Sequence, residues 1–193
     1  MSEPLRPCRS EDAILRATLD LVADHGVSGV TVDAVAARAG VGKATIYRHW
    51  GSRARLVHAA IACMHGPFDE PDTGSVRDDL VALLRQLVQF LNRSDTGRVF
   101  PSLLDAAERD PELAALREEH ICERRASFER VLQRAVDRGD LPAGVDTRII
   151  IDLVVAPFFY RRVVARTGVT AKDVEPVVDM VLAAVSALPA TSV

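Results

Sequence analysis

Within a chain of 193 residues, the segment Lys43-Ala44-Thr45-Ile46-Tyr47-Arg48-His49 gathers an ammonium, a guanidinium, an imidazole and two hydroxyls. Cations and hydroxyls suit phosphate oxygens, and short side chains such as Ala44 and Thr45 let a backbone come close to base edges. The chemistry this points to is non-covalent recognition of duplex DNA. A plain amphipathic surface helix would present a similar polar face, so the flanking residues have to decide between the two.

For these side chains to lie along a groove, two short helices must cross through a tight turn. Residues 31–50 meet that requirement. Thr31 opens a short helix carrying Val32, Val35, Ala36 and Ala39, and Gly40 ends it. Gly40 supplies a left-handed turn residue without steric cost, and Ala36 is small enough for close approach. The second helix, from about Gly42 to Trp50, can plug the shared core with Ile46 and Trp50, alongside Val32, Val35 and Val41. Lys43, Ala44, Thr45, Tyr47, Arg48 and His49 are then left on its outer side.

The remaining elements are also helical. Glu11–His25 has Ile14, Ala17, Leu21 and Val22 at helical spacing, with Ser10 as a candidate cap and Gly26 as the stop. Ser52 caps a helix bearing Leu56, Val57, Ala60, Ile61 and Met64. Two prolines and two glycines in residues 66–74 mark a loop and the expected domain boundary. Ser75 opens a long helix, Asp110-Pro111 opens another reaching Arg138, and Asp146 opens one reaching about Thr167. The last is expected over about Asp173–Leu188. No segment alternates as a strand would. The predicted architecture is all-α, with about nine helices: a tail over residues 1–9, a helix-turn-helix domain over 10–65 and a larger helical body over 66–193.

Charge agrees with this division. The net charge of −3 hides a split, with +2 over residues 1–65 and −5 over residues 66–193. Hydrophobic content of 48% and charged content of 26% argue against disorder. The three cysteines, Cys8, Cys63 and Cys122, form no disulfide framework, and no secretory or membrane-spanning segment is readable, so a cytoplasmic location and no membrane partner are expected. An enzyme is disfavoured because no phosphate loop, nucleophile elbow or His-Glu-x-x-His motif occurs. His58, Cys63 and His65, or His120 and Cys122, match no strong metal signature, and neither metal nor cofactor is expected.

Residues 10–64 resemble the DNA-binding domain of TetR-family transcriptional regulators. The stretch Thr31–Leu56 follows that pattern almost throughout, with Trp50 where phenylalanine is commoner, Gly51 where proline is common and Arg53 where lysine is usual. Arg109–Arg117, Arg124-Arg125 and Pro157–Tyr160 resemble one C-terminal subtype of the same family. The resemblance implies that Thr31 donates to a phosphate, that Lys43, Ala44 and Thr45 meet base edges or the adjacent backbone, and that Tyr47 and His49 contact phosphates. It further implies a base or phosphate contact for Arg48, and backbone clamping by Arg53 and Arg55.

It also implies a homodimer on a palindromic operator, in the manner of paired half-sites about 34–36 Å apart. Val174, Val177, Val178, Val181, Leu182, Val185 and Leu188 make one apolar stripe, and Ile150, Leu153, Val154, Pro157 and Val164 make another. Two such helices can pair with their symmetry mates into a four-helix bundle, or can face the protomer's own core. An effector pocket is implied inside the body, with Leu87, Phe90, Leu91, Phe100, Leu104, Phe128 and Phe159 as candidate liners. Leu116, His120, Arg124 and Phe128 share one helical stripe, and the two polar members suit an anionic or carbonyl-bearing ligand. The expected function is a dimeric repressor released from its operator by a small molecule of unknown identity. A constitutive repressor with a filled body is the alternative.

Overall fold

Side-chain caps set where most of the helices begin. The structure is a computed structural model that describes residues 9–63, 68–93 and 96–187, and among these are nine α-helices and no strand. Helix α1 is Arg9–His25, α2 Val32–Ala39 and α3 Lys43–Trp50. Helix α4 is Arg53–Cys63, α5 Val76–Leu91 and α6 Thr96–Ala107. Helix α7 is Pro111–Arg138, α8 Thr147–Phe159 and α9 Val174–Ser186. Thr31, Ser52, Ser75, Asp110 and Asp146 accept hydrogen bonds from the first-turn amides of α2, α4, α5, α7 and α8. Each such cap satisfies a donor that the helix itself leaves open. Helix α1 starts at Arg9, so Ser10 lies inside it rather than capping it. Residues 1–8 (Cys8 included), Met64, His65 and Leu188 lie outside the described residues.

The described residues form two compact units that are not consecutive stretches of chain. Unit 1 draws on residues 1–66 and 98–120, and unit 2 on residues 67–97 and 121–193. The core of unit 1 joins Ile14, Leu21, Val22, Val35, Ile46, Leu56 and Val57 to Val99, Leu103 and Leu113 from α6 and α7. Ser102 on α6 accepts a hydrogen bond from the Val27 amide, 2.6 Å away. A Cβ at Gly26 would come within 2.9 Å of the Ser102 hydroxyl, and Gly26 has φ 73°, so both space and backbone favour glycine at this junction.

In unit 2, Leu80, Leu83, Leu84, Leu87 and Leu91 of α5 pack with Phe128, Val131 and Leu132 of α7 and with the inner faces of α8 and α9. The loop before α5 is stitched down. The fully buried Asp79 accepts from both the amide and the hydroxyl of Thr73, Arg134 donates to the Pro71 carbonyl, and Arg130 pairs with Glu70.

Helix α8 ends earlier than the sequence pattern suggests. Proline lacks an amide donor, so Pro157 leaves the Leu153 carbonyl without its helical bond. The chain then widens into a π-turn over Tyr160–Val164, closed by the Ala165 amide on the Tyr160 carbonyl, and Arg166 takes φ 53°. A Thr170–Asp173 capping box then leads into α9.

Several of these contacts carry a pH dependence. Backbone and hydroxyl donation from Thr170, then the Arg161 guanidinium, hold Asp173 below the usual carboxylate range. Arg77 does the same for Asp179, and Arg130 for Glu70. A depressed carboxylate adds stability above its unfolded pKa of about 4 and loses it as pH falls through the folded value. Thermal midpoints followed by circular dichroism should therefore decline as pH drops below about 4, and Asp173→Asn should flatten that decline.

Candidate nucleic-acid interface

Gly40, Val41 and Gly42 join α2 to α3. Gly40 has φ 67° and ψ 33°, the left-handed region, and both its amide and that of Val41 close on the Ala36 carbonyl. No atom lies within 4 Å of a Cβ built at Gly40, so backbone conformation rather than space requires glycine there. Helix α3 has no side-chain cap at Gly42, which leaves first-turn amides without a side-chain acceptor. Ile46, 1% exposed, points into the unit 1 core with Val35 and Ala36, and Trp50 packs against that core half-buried.

The opposite side of α3 is open. Tyr47 is 50% exposed, Lys43, Ala44, Arg48 and His49 are exposed, and Thr45 is half-buried. Thr31 is exposed at the start of α2, where its hydroxyl oxygen accepts from the Ala34 amide and its proton remains available to donate. Thr31 and the predicted recognition residues of α3 are therefore accessible outside the unit 1 core, and among the predicted contacts there is one exception.

That exception is Arg53. Its guanidinium donates to the Val27 carbonyl and to Asp110, each at 3.0 Å, so it ties the α1–α2 junction to the start of α7. A side chain bound on two sides within unit 1 acts as a brace there. Arg55 pairs with Glu112 at 3.3 Å but keeps 64% of its side chain exposed, leaving donors free to turn outward.

Two carboxylates also stand on this face that sequence reasoning did not pick out. Asp33 forms an ion pair with Lys43, and a Glu11 carboxylate oxygen lies 2.9 Å from His49 Nδ1. The Asp33 hydrogen bond raises the Lys43 pKa above its ordinary value. Neither pairing follows from local spacing, because each joins two separate helices.

Residues 14–60 match the bacterial regulatory proteins of the tetR family, and residues 70–181 match the tetracyclin repressor-like C-terminal domain. The HTH-type transcriptional regulator YdeS of Bacillus subtilis is 35% identical over 182 residues, covering 93% of this chain and 90% of that protein. A DNA-binding transcriptional repressor TetR of Mycobacteroides abscessus is 34% identical over 155 residues, covering 77% of this chain and 80% of its own. The crystal structure of the TetR family transcription regulator SCO0332 superposes with a TM-score of 0.69 at 28% identity, covering 94% of this chain and 100% of that one. The chain belongs to the TetR family. It is a DNA-binding transcriptional regulator, and its relatives are regulators rather than enzymes.

The other residues singled out in this TetR-family chain fall in different places. Among the pocket candidates, Leu87, Phe90, Leu91, Arg124, Phe128 and Phe159 belong to unit 2, whereas Phe100, Leu104 and His120 belong to unit 1. Leu87, Leu91 and Phe128 are core residues of unit 2. His120 meets His58 edge-to-face, with ring centroids 5.7 Å apart.

The expected dimer stripes divide between the core of unit 2 and its surface. Ile150, Val154, Val174, Val177, Val178, Val181 and Val185 are buried in the core of unit 2, and Leu182 packs partly buried against it. Their side chains are already spent on the protomer's own packing. The outward faces carry two residues of those stripes, Leu153 and Val164, together with Ile149 and Tyr160 on α8 and its π-turn and Met180 on α9, all more than half exposed. Pro157 is half-buried at the edge of the α8 face. Cys63 and Cys122 are free and exposed. No group of three or more potential metal ligands occurs among the described residues, and no helix there is long and apolar enough to cross a membrane.

Proposed function

We propose that this regulator acts as a homodimeric repressor that binds a palindromic operator and leaves it when a small-molecule effector binds. On this reading residues 10–65 read the operator, and residues 66–193 provide dimerisation and effector binding. The division follows the two matched segments, 14–60 and 70–181. Helix α6 and the first turns of α7 complete the packing of the operator-reading part, since residues 98–120 share its core.

The observation that carries the DNA-reading assignment is the opposition of Ile46 and Tyr47 on α3, adjacent in sequence yet 1% and 50% exposed. The inward residue locks the helix, and the outward face offers Lys43, Ala44, Thr45, Tyr47, Arg48 and His49. Thr31 and Arg55 flank them as phosphate donors. Exposed Ile149, Leu153, Tyr160, Val164 and Met180 support the dimer, because scattered apolar exposure is ordinary but a face repeated on two adjacent helices calls for a cover. Effector and operator then compete through the conformers each prefers, so an effector weakens DNA binding only by its differential affinity.

A mobility-shift titration on the DNA upstream of the regulator's own gene tests the reading. A protein contacting six to ten phosphates should lose about 10³–10⁵-fold in affinity between about 50 and 200 mM salt. A shift insensitive to salt, or no preference over unrelated DNA, would overturn it.

A further inference from the structure

Arg124 is the one arginine on the unit 2 portion of α7 without an ionic or hydrogen-bonded partner among the described residues. Arg125 donates to Asp152, Arg130 to Glu70, Arg134 to the Pro71 carbonyl and Arg138 to Asp140. The Arg124 guanidinium instead lies over two aromatic rings, with its central carbon 4.4 Å from the Phe68 centroid and 4.8 Å from the Phe90 centroid. Phe128, one helical turn further along α7, meets Phe68 edge-to-face at 6.0 Å and is buried. The rings attract the cation through their faces but do not take up its N–H donors in the way a carboxylate would.

Partial burial penalises this charge and draws its pKa down to about 10, still well above neutrality. An arginine held half-buried against two rings, with its donors unspent among the described residues, is placed to meet an acceptor arriving from solution. The side chain is therefore held in place by the two rings, and a planar fork of donors is left for an acceptor of matching geometry.

We propose that Arg124 is the anion-binding group of a ligand site in unit 2, and that the site takes a monocarboxylate with an aromatic or otherwise apolar body. One unpaired cation balances one negative charge, whereas a phosphate dianion would bring an excess charge into the same apolar surroundings. Phe68, Phe90 and Phe128 supply the apolar contacts. The inference rests on the reading of residues 66–193 as the effector-binding part, and it adds the chemical class of the effector.

The test uses the full-length protein and a panel of benzoate, phenylacetate, octanoate and decanoate, each paired with its uncharged amide. Calorimetry and thermal shift should show at least one carboxylate binding with a Kd of about 1 mM or tighter and its amide binding at least tenfold more weakly. Arg124→Gln should remove that preference, with a loss of about 10–100-fold for the carboxylate, the range for a hydrogen bond to a charged group. Arg124→Gln removes a poorly solvated charge, so the fold should survive it. Arg124→Lys, which keeps the charge but not the fork, should bind at least tenfold more weakly than the native chain.

Failure of every carboxylate to bind the native chain overturns the assignment, as does equal binding to Arg124→Gln or equal binding of acid and amide. The mobility shift separates this from the wider reading. A carboxylate that binds through Arg124 without releasing DNA sustains the site and overturns effector release. An uncharged compound that releases DNA, with no carboxylate binding, sustains effector release and overturns the role of Arg124.

Discussion

Leu153→Asp combined with Met180→Asp is expected to halve the particle mass in solution, to that of one 21.0 kDa chain, and to weaken operator binding by about 10²–10⁴-fold. Both side chains are more than half exposed, on α8 and α9 respectively. A carboxylate at either position meets water in the monomer but would be desolvated against an apolar partner face. The loss of affinity follows from linkage of the two DNA-reading heads: in a dimer the second half-site binds at high effective concentration, and in a monomer it does not. Val178→Asp must behave differently. Val178 is fully buried between α9 and its neighbours in unit 2, so the same carboxylate there has neither water nor a counter-ion. That cost is several kcal/mol, comparable with the whole stability of an ordinary domain, about 5–15 kcal/mol, and the expected outcome is an unfolded chain rather than a folded monomer. Analytical ultracentrifugation with circular dichroism distinguishes the cases. An unchanged mass for the double variant would overturn the α8–α9 interface.

The contrast between Leu153 and Val178 shows where sequence reading reaches its limit. Helix starts were legible because a cap is local: Thr31, Ser75 and Asp146 each bond an amide two or three residues away. The turn between α2 and α3 was legible for the same reason, since Gly40 needs only its own φ and ψ. Which side of an apolar stripe faces inward is not local. On α9 the stripe is apolar around most of its circumference, and only packing against α5 and α8 shows that the valines face in and Met180 faces out. The membership of residues 98–120 in unit 1 was hidden likewise, because the Ser102–Val27 and Arg53–Asp110 bonds span 75 and 57 positions of chain. The cation set around α3 was read from composition, and composition could not separate Arg53, held by a carbonyl and a carboxylate, from Arg48, which stays exposed.

Ile46→Ala and Tyr47→Ala should damage the protein in opposite ways although the residues are adjacent. Ile46 is buried where α3 meets α2 and the unit 1 core. Truncating it leaves a cavity and costs about 2–5 kcal/mol of stability, read as a lower midpoint in urea with an unchanged slope. Helix α3 has only eight residues, too few to persist without tertiary packing. Its recognition face is therefore lost together with the stability. Tyr47 makes no such core contact, and surface substitutions of this kind usually change stability by less than about 0.5 kcal/mol. What Tyr47→Ala removes is a ring-borne hydroxyl aimed outward, and a hydrogen bond to a charged phosphate is worth about 1.5–3 kcal/mol. In the proposed dimer the residue serves both half-sites, so the operator should be bound at least about 100-fold more weakly at unchanged stability. Tyr47→Phe separates the hydroxyl from the ring and should reproduce most of the loss. If Tyr47→Ala bound the operator as tightly as the native chain, α3 would not be the helix that lies along the DNA, and the exposed cations of unit 1 would have to be read as ordinary solvated charges.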